Sequence, residues 1–126
     1  MDSILLPEVF DRLRQATAKD PAVLVELCRD YLEEARSTLT QLRDAFLLKD
    51  AKAFRERAHY LKGSSLMVGA SRLSQCCATL ERMGRDSDFR GAETMLDDTI
   101  AALREVEAQL TEQVGPAVLP AEGSAA

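Results

Sequence analysis

The chain carries a single histidine, His59, and the residues around it are chosen as if to make it reactive. An imidazole is both a base and a nucleophile near neutral pH. Lys62 follows three residues on and Gly63 four, so on a helix all three share one face. An ammonium there could meet a phosphoryl oxygen held near the ring. Glycine in mid-helix costs about 1 kcal/mol relative to alanine, yet at Gly63 it clears space beside the imidazole for another molecule. A fourth residue joins them across a turn. Gly69-Ala70 lies midway between positions 59 and 81, and in an antiparallel helix pair residues equidistant from the turn stand level. Glu81 is therefore expected opposite His59. A carboxylate accepting the Nδ1 proton would fix the tautomer and leave Nε2 as the nucleophile.

The elements that must hold these residues are helices. Leu and Ala dominate, Trp is absent, and Tyr and Phe number two and four, with little of the period-2 alternation of strands. Pro7 can open a short helix through Val9, Phe10 and Leu13. Asp20-Pro21 is a strong start signal, an N-cap before a first-turn proline. From there Leu24, Cys28, Tyr31, Leu32, Ala35, Leu39, Leu42 and Phe46 continue in steps of three and four for about six turns. Asp50 can cap the next helix, whose stripe is Phe54, Ala58, Leu61, Ser65 and Val68, with Gly69 as its C-terminal glycine. A further helix begins near Ser71 with Leu73, Cys76, Cys77, Leu80 and Met83. After Asp86-Ser87-Asp88 the last carries Met95, Leu96, Thr99, Ile100, Leu103, Val106 and Leu110. These elements predict an all-α fold, an antiparallel up-down four-helix bundle with the short first helix capping one end. The bundle domain is expected over residues 1–114 and a flexible tail over 115–126, where Gly115, Pro116, Pro120 and Gly123 interrupt the pattern.

On a helical wheel of about 100° per residue centred on Phe54, the stripe stays within about 40° of its centre and His59 falls at about 140°. Arg55, Lys62, Gly63 and Leu66 share its sector. His59 is thus expected to be at least partly exposed, well off the core stripe and next to a cation and a glycine.

Composition narrows the function. The net charge of −5 over 126 residues argues against bulk nucleic-acid binding. Inside that acidic chain, Lys52, Arg55, Arg57, Lys62 and Arg72 stand against the single acid Glu56 between positions 52 and 72, a surface suited to an anion. An odd set of cysteines, Cys28, Cys76 and Cys77, with no secretory leader reads as small core hydrophobes rather than a disulfide framework. No run of about 18 apolar residues exists to span a membrane, and a cytoplasmic location is expected.

With those residues assembled, a resemblance emerges. Ala58-His59-Tyr60-Leu61-Lys62-Gly63-Ser64-Ser65, then Gly69-Ala70-Ser71-Arg72-Leu73, then Cys77 and Leu80-Glu81, is similar to the signature of the histidine-containing phosphotransfer (HPt) family. Weaker similarity in helix pattern runs over roughly residues 5–112. The resemblance implies a four-helix bundle with the phosphorylatable histidine exposed on its second bundle helix. It further implies a relay of phosphate between aspartates of response-regulator receiver domains in a two-component system. On that basis His59 is the phosphoacceptor, Lys62 stabilises the phosphoryl group, Gly63 leaves room for the partner, and Ser64 and Ser65 match the family's small pair. At the position of Glu81 many relay members have glutamine, whereas the bundle at the front of chemotaxis kinases has glutamate, so receiver-fed and kinase-fed versions both remain open.

The expected partners are receiver domains and a hybrid histidine kinase, with no nucleic acid and no membrane, and the protein is expected to be a monomer. Docking is expected on the His59 face, with Arg55, Gly63 and Leu66, together with Leu6, Val9, Phe10 and Leu13 of the first helix, although those first-helix residues could equally serve only to close the bundle end. No cofactor of its own is expected: Mg²⁺ and its carboxylate pocket should come from the partner receiver, making this chain a phosphotransfer intermediate rather than an enzyme. Rival readings fit less well. Glu56-Arg57-Ala58-His59 matches the Glu-x-x-His of di-iron bundles, but those need two copies. Lys62-Gly63-Ser64 has the wrong order for a phosphate-binding loop. A histidine kinase dimerisation bundle would need a different sequence around the histidine and an ATP-binding domain. A helical adaptor that binds receivers or kinases without phosphotransfer is the main alternative.

Overall fold

In a computed structural model, which describes residues 4–120, the chain is helical throughout, in agreement with the expected class. The helices are α1 (Pro7–Ala16), α2 (Pro21–Leu48), α3 (Ala51–Met67), α4 (Ser71–Arg85) and α5 (Ala92–Val114). α2 packs on α3 and α5, and α4 packs on α3 and α5, which closes a four-helix ring. The stripes read from the sequence fill its centre: Leu32, Leu42, Phe54, Leu61, Leu73, Leu80, Leu96 and Leu110 are fully buried. A side chain of that size gains about 1.5–3 kcal/mol from burial, which is the main reason the ring closes.

The helix ends follow the expected signals, with one change of mechanism. Asp50 caps α3, its carboxylate accepting from the Ala53 amide at 3.1 Å. Gly69 takes a left-handed φ of +81° just past α3, and its carbonyl accepts from the Leu6 amide at 2.8 Å. That bond ties the start of α1 to the α3–α4 turn, so α1 closes this end of the bundle. Asp20 occupies the N-cap of α2, but its side chain makes no capping bond. Pro21 at N1 carries the start instead, because its missing N–H needs no partner. At the far end Phe89 packs edge-on against Phe54, ring centres 5.2 Å apart, and against Phe46 at 6.0 Å.

The expected domain boundary needs revision. Pro116–Val118 form a 3₁₀ turn on α2 and α5 rather than a loose tail. Val118 is fully buried, Pro120 is buried, and Arg29 Nε donates to the Ala117 carbonyl at 2.9 Å. The glycine and prolines that broke the helical pattern let the chain turn back, and one apolar side chain then keeps it on the bundle. Residues 1–3 and 121–126 of the expected domain and tail lie outside the described residues.

Candidate functional site

α3 places its stripe inward and His59 outward. The His59 side chain is 69% exposed, while Ala58 and Leu61 on either side of it are buried. The sector assigned from the wheel holds: Arg55, Gly63 and Leu66 are exposed and Lys62 is half-buried. A methyl group added at Gly63 would find no neighbour within 4 Å. The glycine therefore serves no packing contact within the chain, and the space beside the ring opens outward.

Glu81 stands where the turn geometry put it. Its Oε2 lies 3.0 Å from His59 Nδ1. An ionised carboxylate can only accept, so Nδ1 carries the shared proton and Nε2 is the ring nitrogen left without this partner. The same carboxylate receives a second partner that sequence reading did not foresee. Lys62 Nζ lies 2.6 Å from Glu81 Oε1. The Lys62 ammonium is the main cause that holds the Glu81 carboxyl below its ordinary value; burial opposes it, and the hydrogen bond from His59 adds a smaller lowering. His59, Lys62 and Glu81 thus form one connected network, with the carboxylate bridging ring and ammonium. The missed signal was spacing: Lys62 lies three residues beyond His59, within one turn of the level of Glu81.

Helix packing beneath the network is close. A Cβ built on Gly84 would come within 2.7 Å of the Arg55 amide nitrogen and 2.9 Å of its Cα. Only glycine lets α4 approach α3 there, and that approach brings Glu81 within reach of His59. Deeper in, Tyr31 and Ser65 share a buried hydrogen bond of 2.8 Å between α2 and α3. The Cys77 thiol, behind Lys62 and Glu81, is pushed up to about 12 by burial, and Cys28 to about 11. Both stay protonated core residues, as their positions in the sequence stripes suggested.

Not all of the residues expected to dock a partner are exposed. Phe10 is 3% exposed and belongs to the core, so it offers nothing to a partner; on so short a helix, the largest side chain is the one that holds it down. Leu6 and Val9 are half-buried against Gly69. Of that first-helix set only Leu13 reaches a groove that also contains His59. This groove, about 550 Å³, runs between α1, α2 and α3, with Leu27, Tyr31, Tyr60, Met67 and Val68 among its walls. Leu27, Tyr60 and Met67 are 47%, 48% and 70% exposed. The α2 side of the groove was not read from the sequence, because Leu27 lies off the α2 stripe and resembles an ordinary stray surface leucine. Among the described residues no cluster of His, Cys, Asp or Glu side chains could hold a metal ion, and no helix is long and apolar enough to cross a membrane.

The fold is thus a helical bundle that displays one exposed imidazole, with Nδ1 held by a carboxylate on the neighbouring helix. The comparisons with known proteins give this bundle its family. The model of the Hpt domain matches residues 26–113, and the chain belongs to the Hpt domain family. Multistep phosphorelay regulator 1 of Schizosaccharomyces pombe is 30% identical over 94 residues, 74% of this chain. The match spans 32% of that longer relative. The crystal structure of histidine-containing phosphotransfer protein B from Pseudomonas aeruginosa PAO1 has the same fold, with a TM-score of 0.83 over 90% of this chain and 96% of that one, at 22% identity.

Proposed function

We propose that this protein is a phosphorelay intermediate of a two-component system, with His59 as its phosphoacceptor. The observation that carries this reading is the exposed imidazole of His59, whose Nδ1 is held at 3.0 Å by Glu81. Nε2 attacks the phosphorus of a receiver's aspartyl phosphate in line; the N–P bond forms as the P–O bond to the aspartate breaks, and the aspartate leaves as a carboxylate. The ring gains positive charge as the bond forms. Glu81, already ionised and hydrogen-bonded to Nδ1, stabilises that charge. Lys62 keeps Glu81 ionised and lies within one helical turn of the new phosphoryl group, whose charge it offsets. Both are positioning residues in the resting protein. The reverse reaction toward a second receiver uses the same geometry. Phosphoryl transfer depends on positioning and charge neutralisation, and Mg²⁺ is supplied by the receiver's carboxylate pocket.

The partner docks over His59, Gly63, Leu66 and Arg55 and into the groove walled by Leu13, Leu27, Tyr60 and Met67, rather than over Phe10. The name of the fission-yeast relative places it in a multistep phosphorelay and supports this reading. The test is transfer of label from a phosphorylated receiver to the wild type and to His59→Gln. Label on the wild type alone is expected. Equal labelling of His59→Gln would end the proposal, and retained signalling by His59→Ala in the host would favour the adaptor instead.

A further inference from the structure

The groove beside His59 carries acids but no cation. Its walls are largely apolar or aromatic, Leu13, Leu27, Tyr60 and Met67 among them, with Asp30 and Glu34 in the lining and no lysine or arginine. Asp30 and Glu34, one turn apart on α2, are both exposed. Tyr60 donates its hydroxyl to Glu34 Oε2 at 2.8 Å, which pins that carboxylate to the groove's edge. Asp30 makes no ion pair among the described residues. On the other side of His59 cations stand beside acids. Arg55 and Lys52 continue the face of His59 toward the start of α3, both exposed and without an ion pair among the described residues. Arg55 borders a second depression with Glu56, His59, Tyr60 and Glu81.

A receiver that presents its phosphorylated aspartate to His59 also covers the groove beside it, which His59 helps to line. The apolar walls accept an apolar ridge, and the acidic edge accepts cations beside it. We propose that Asp30 and Glu34 are specificity residues, which select receivers whose docking helix carries lysine or arginine along its apolar ridge and disfavour those with acids there. This rests on the phosphotransfer reading and adds which receivers are chosen. Exposed edge charges act mainly on encounter and orientation, so the effect falls on the half-saturating receiver concentration rather than on the rate at saturation, and it fades with salt.

The test uses one receiver with a lysine-flanked docking helix and its variant with those lysines changed to glutamate, both labelled on aspartate from acetyl phosphate. Wild type should need roughly fivefold less of the lysine form for half-maximal labelling of His59 at low salt. The double variant Asp30→Lys, Glu34→Lys should reverse that order, and Asp30→Asn, Glu34→Gln should abolish it. Circular dichroism checks that each variant is folded, and 0.5 M salt should erase the differences. Equal half-saturating concentrations for both receivers with wild type and double variant alike would overturn the inference while leaving phosphotransfer intact. No label on wild-type His59 from either receiver would overturn the phosphotransfer reading and the inference with it.

Discussion

At the scale of single residues, the site turns on one carboxylate serving two partners. Glu81 touches His59 Nδ1 through one oxygen and the Lys62 ammonium through the other. Glu81→Gln keeps the shape but loses the charge that answers the developing imidazolium. A charge-assisted hydrogen bond contributes about 1.5–3 kcal/mol. Because the imidazole side of this bond is exposed to solvent, the lower figure applies, so labelling of His59 should slow about tenfold. Rapid-quench transfer from a phosphorylated receiver measures it, and an unchanged rate would remove Glu81 from the mechanism. Lys62 is tested through its neighbour. Because Lys62 is the largest cause of the lowered Glu81 pKa, Lys62→Met should let the carboxyl titrate nearer its ordinary value of 4.5, as read by carbon NMR of that side chain. The sign follows: a depressed carboxyl contributes stability that is present above its unfolded value and lost as pH falls through its folded value. The variant therefore loses the ionised bridge at a higher pH than the wild type. Transfer by Lys62→Met should be slower, or its phosphohistidine shorter-lived.

At the scale of the helices, two glycines on the facing pair α3 and α4 do opposite work. Gly63 faces open space and Gly84 faces the α3 backbone. Gly63→Ala should stabilise the fold by about 0.5–1 kcal/mol through helix propensity and still slow transfer, because the new methyl stands where the partner approaches. Gly84→Ala should destabilise it by about 1–3 kcal/mol, since the methyl would overlap rigid backbone at Arg55. Urea unfolding of both variants beside transfer rates checks the pair, and the same sign of stability change at both would refute this account. This contrast also shows what the sequence can convey about an element. Periodicity and caps placed every helix, and a turn midpoint placed Glu81 level with His59, because those signals are local. Nothing in the sequence distinguished Gly84 as the point of closest approach. Likewise Phe10 could be read either as docking surface or as closing the bundle end, since a helix of ten residues carries too little pattern to separate its inner face from its outer one.

At the scale of the whole molecule, the bundle is longer in sequence than its helices. Composition marked the chain after Val114 as leaving the fold, and for most Gly- and Pro-broken segments of that kind the inference is sound. It fails here because a single side chain decides the matter: Val118 is fully buried on α2 and α5, an interaction between positions too far apart for local pattern to report. The Arg29 bond to Ala117 holds the same turn from outside. The groove beside His59 escaped the sequence for the same reason, because three helices build it from residues that are unremarkable on each. Val118→Ala removes two methyl groups from a filled site, and at about 0.8 kcal/mol for each buried carbon with a further cavity cost the fold should lose roughly 2 kcal/mol. Urea denaturation should show a lower midpoint with an unchanged slope, since the surface exposed on unfolding barely alters. Ending the chain after Val114 should cost at least as much. Transfer to His59 by folded Val118→Ala should match the wild type, because the 3₁₀ turn packs on α2 and α5 while the network lies on α3 and α4. A variant with wild-type stability would return the segment to the status of a tail, and one with normal stability but slowed transfer would show that the turn acts on the relay surface instead.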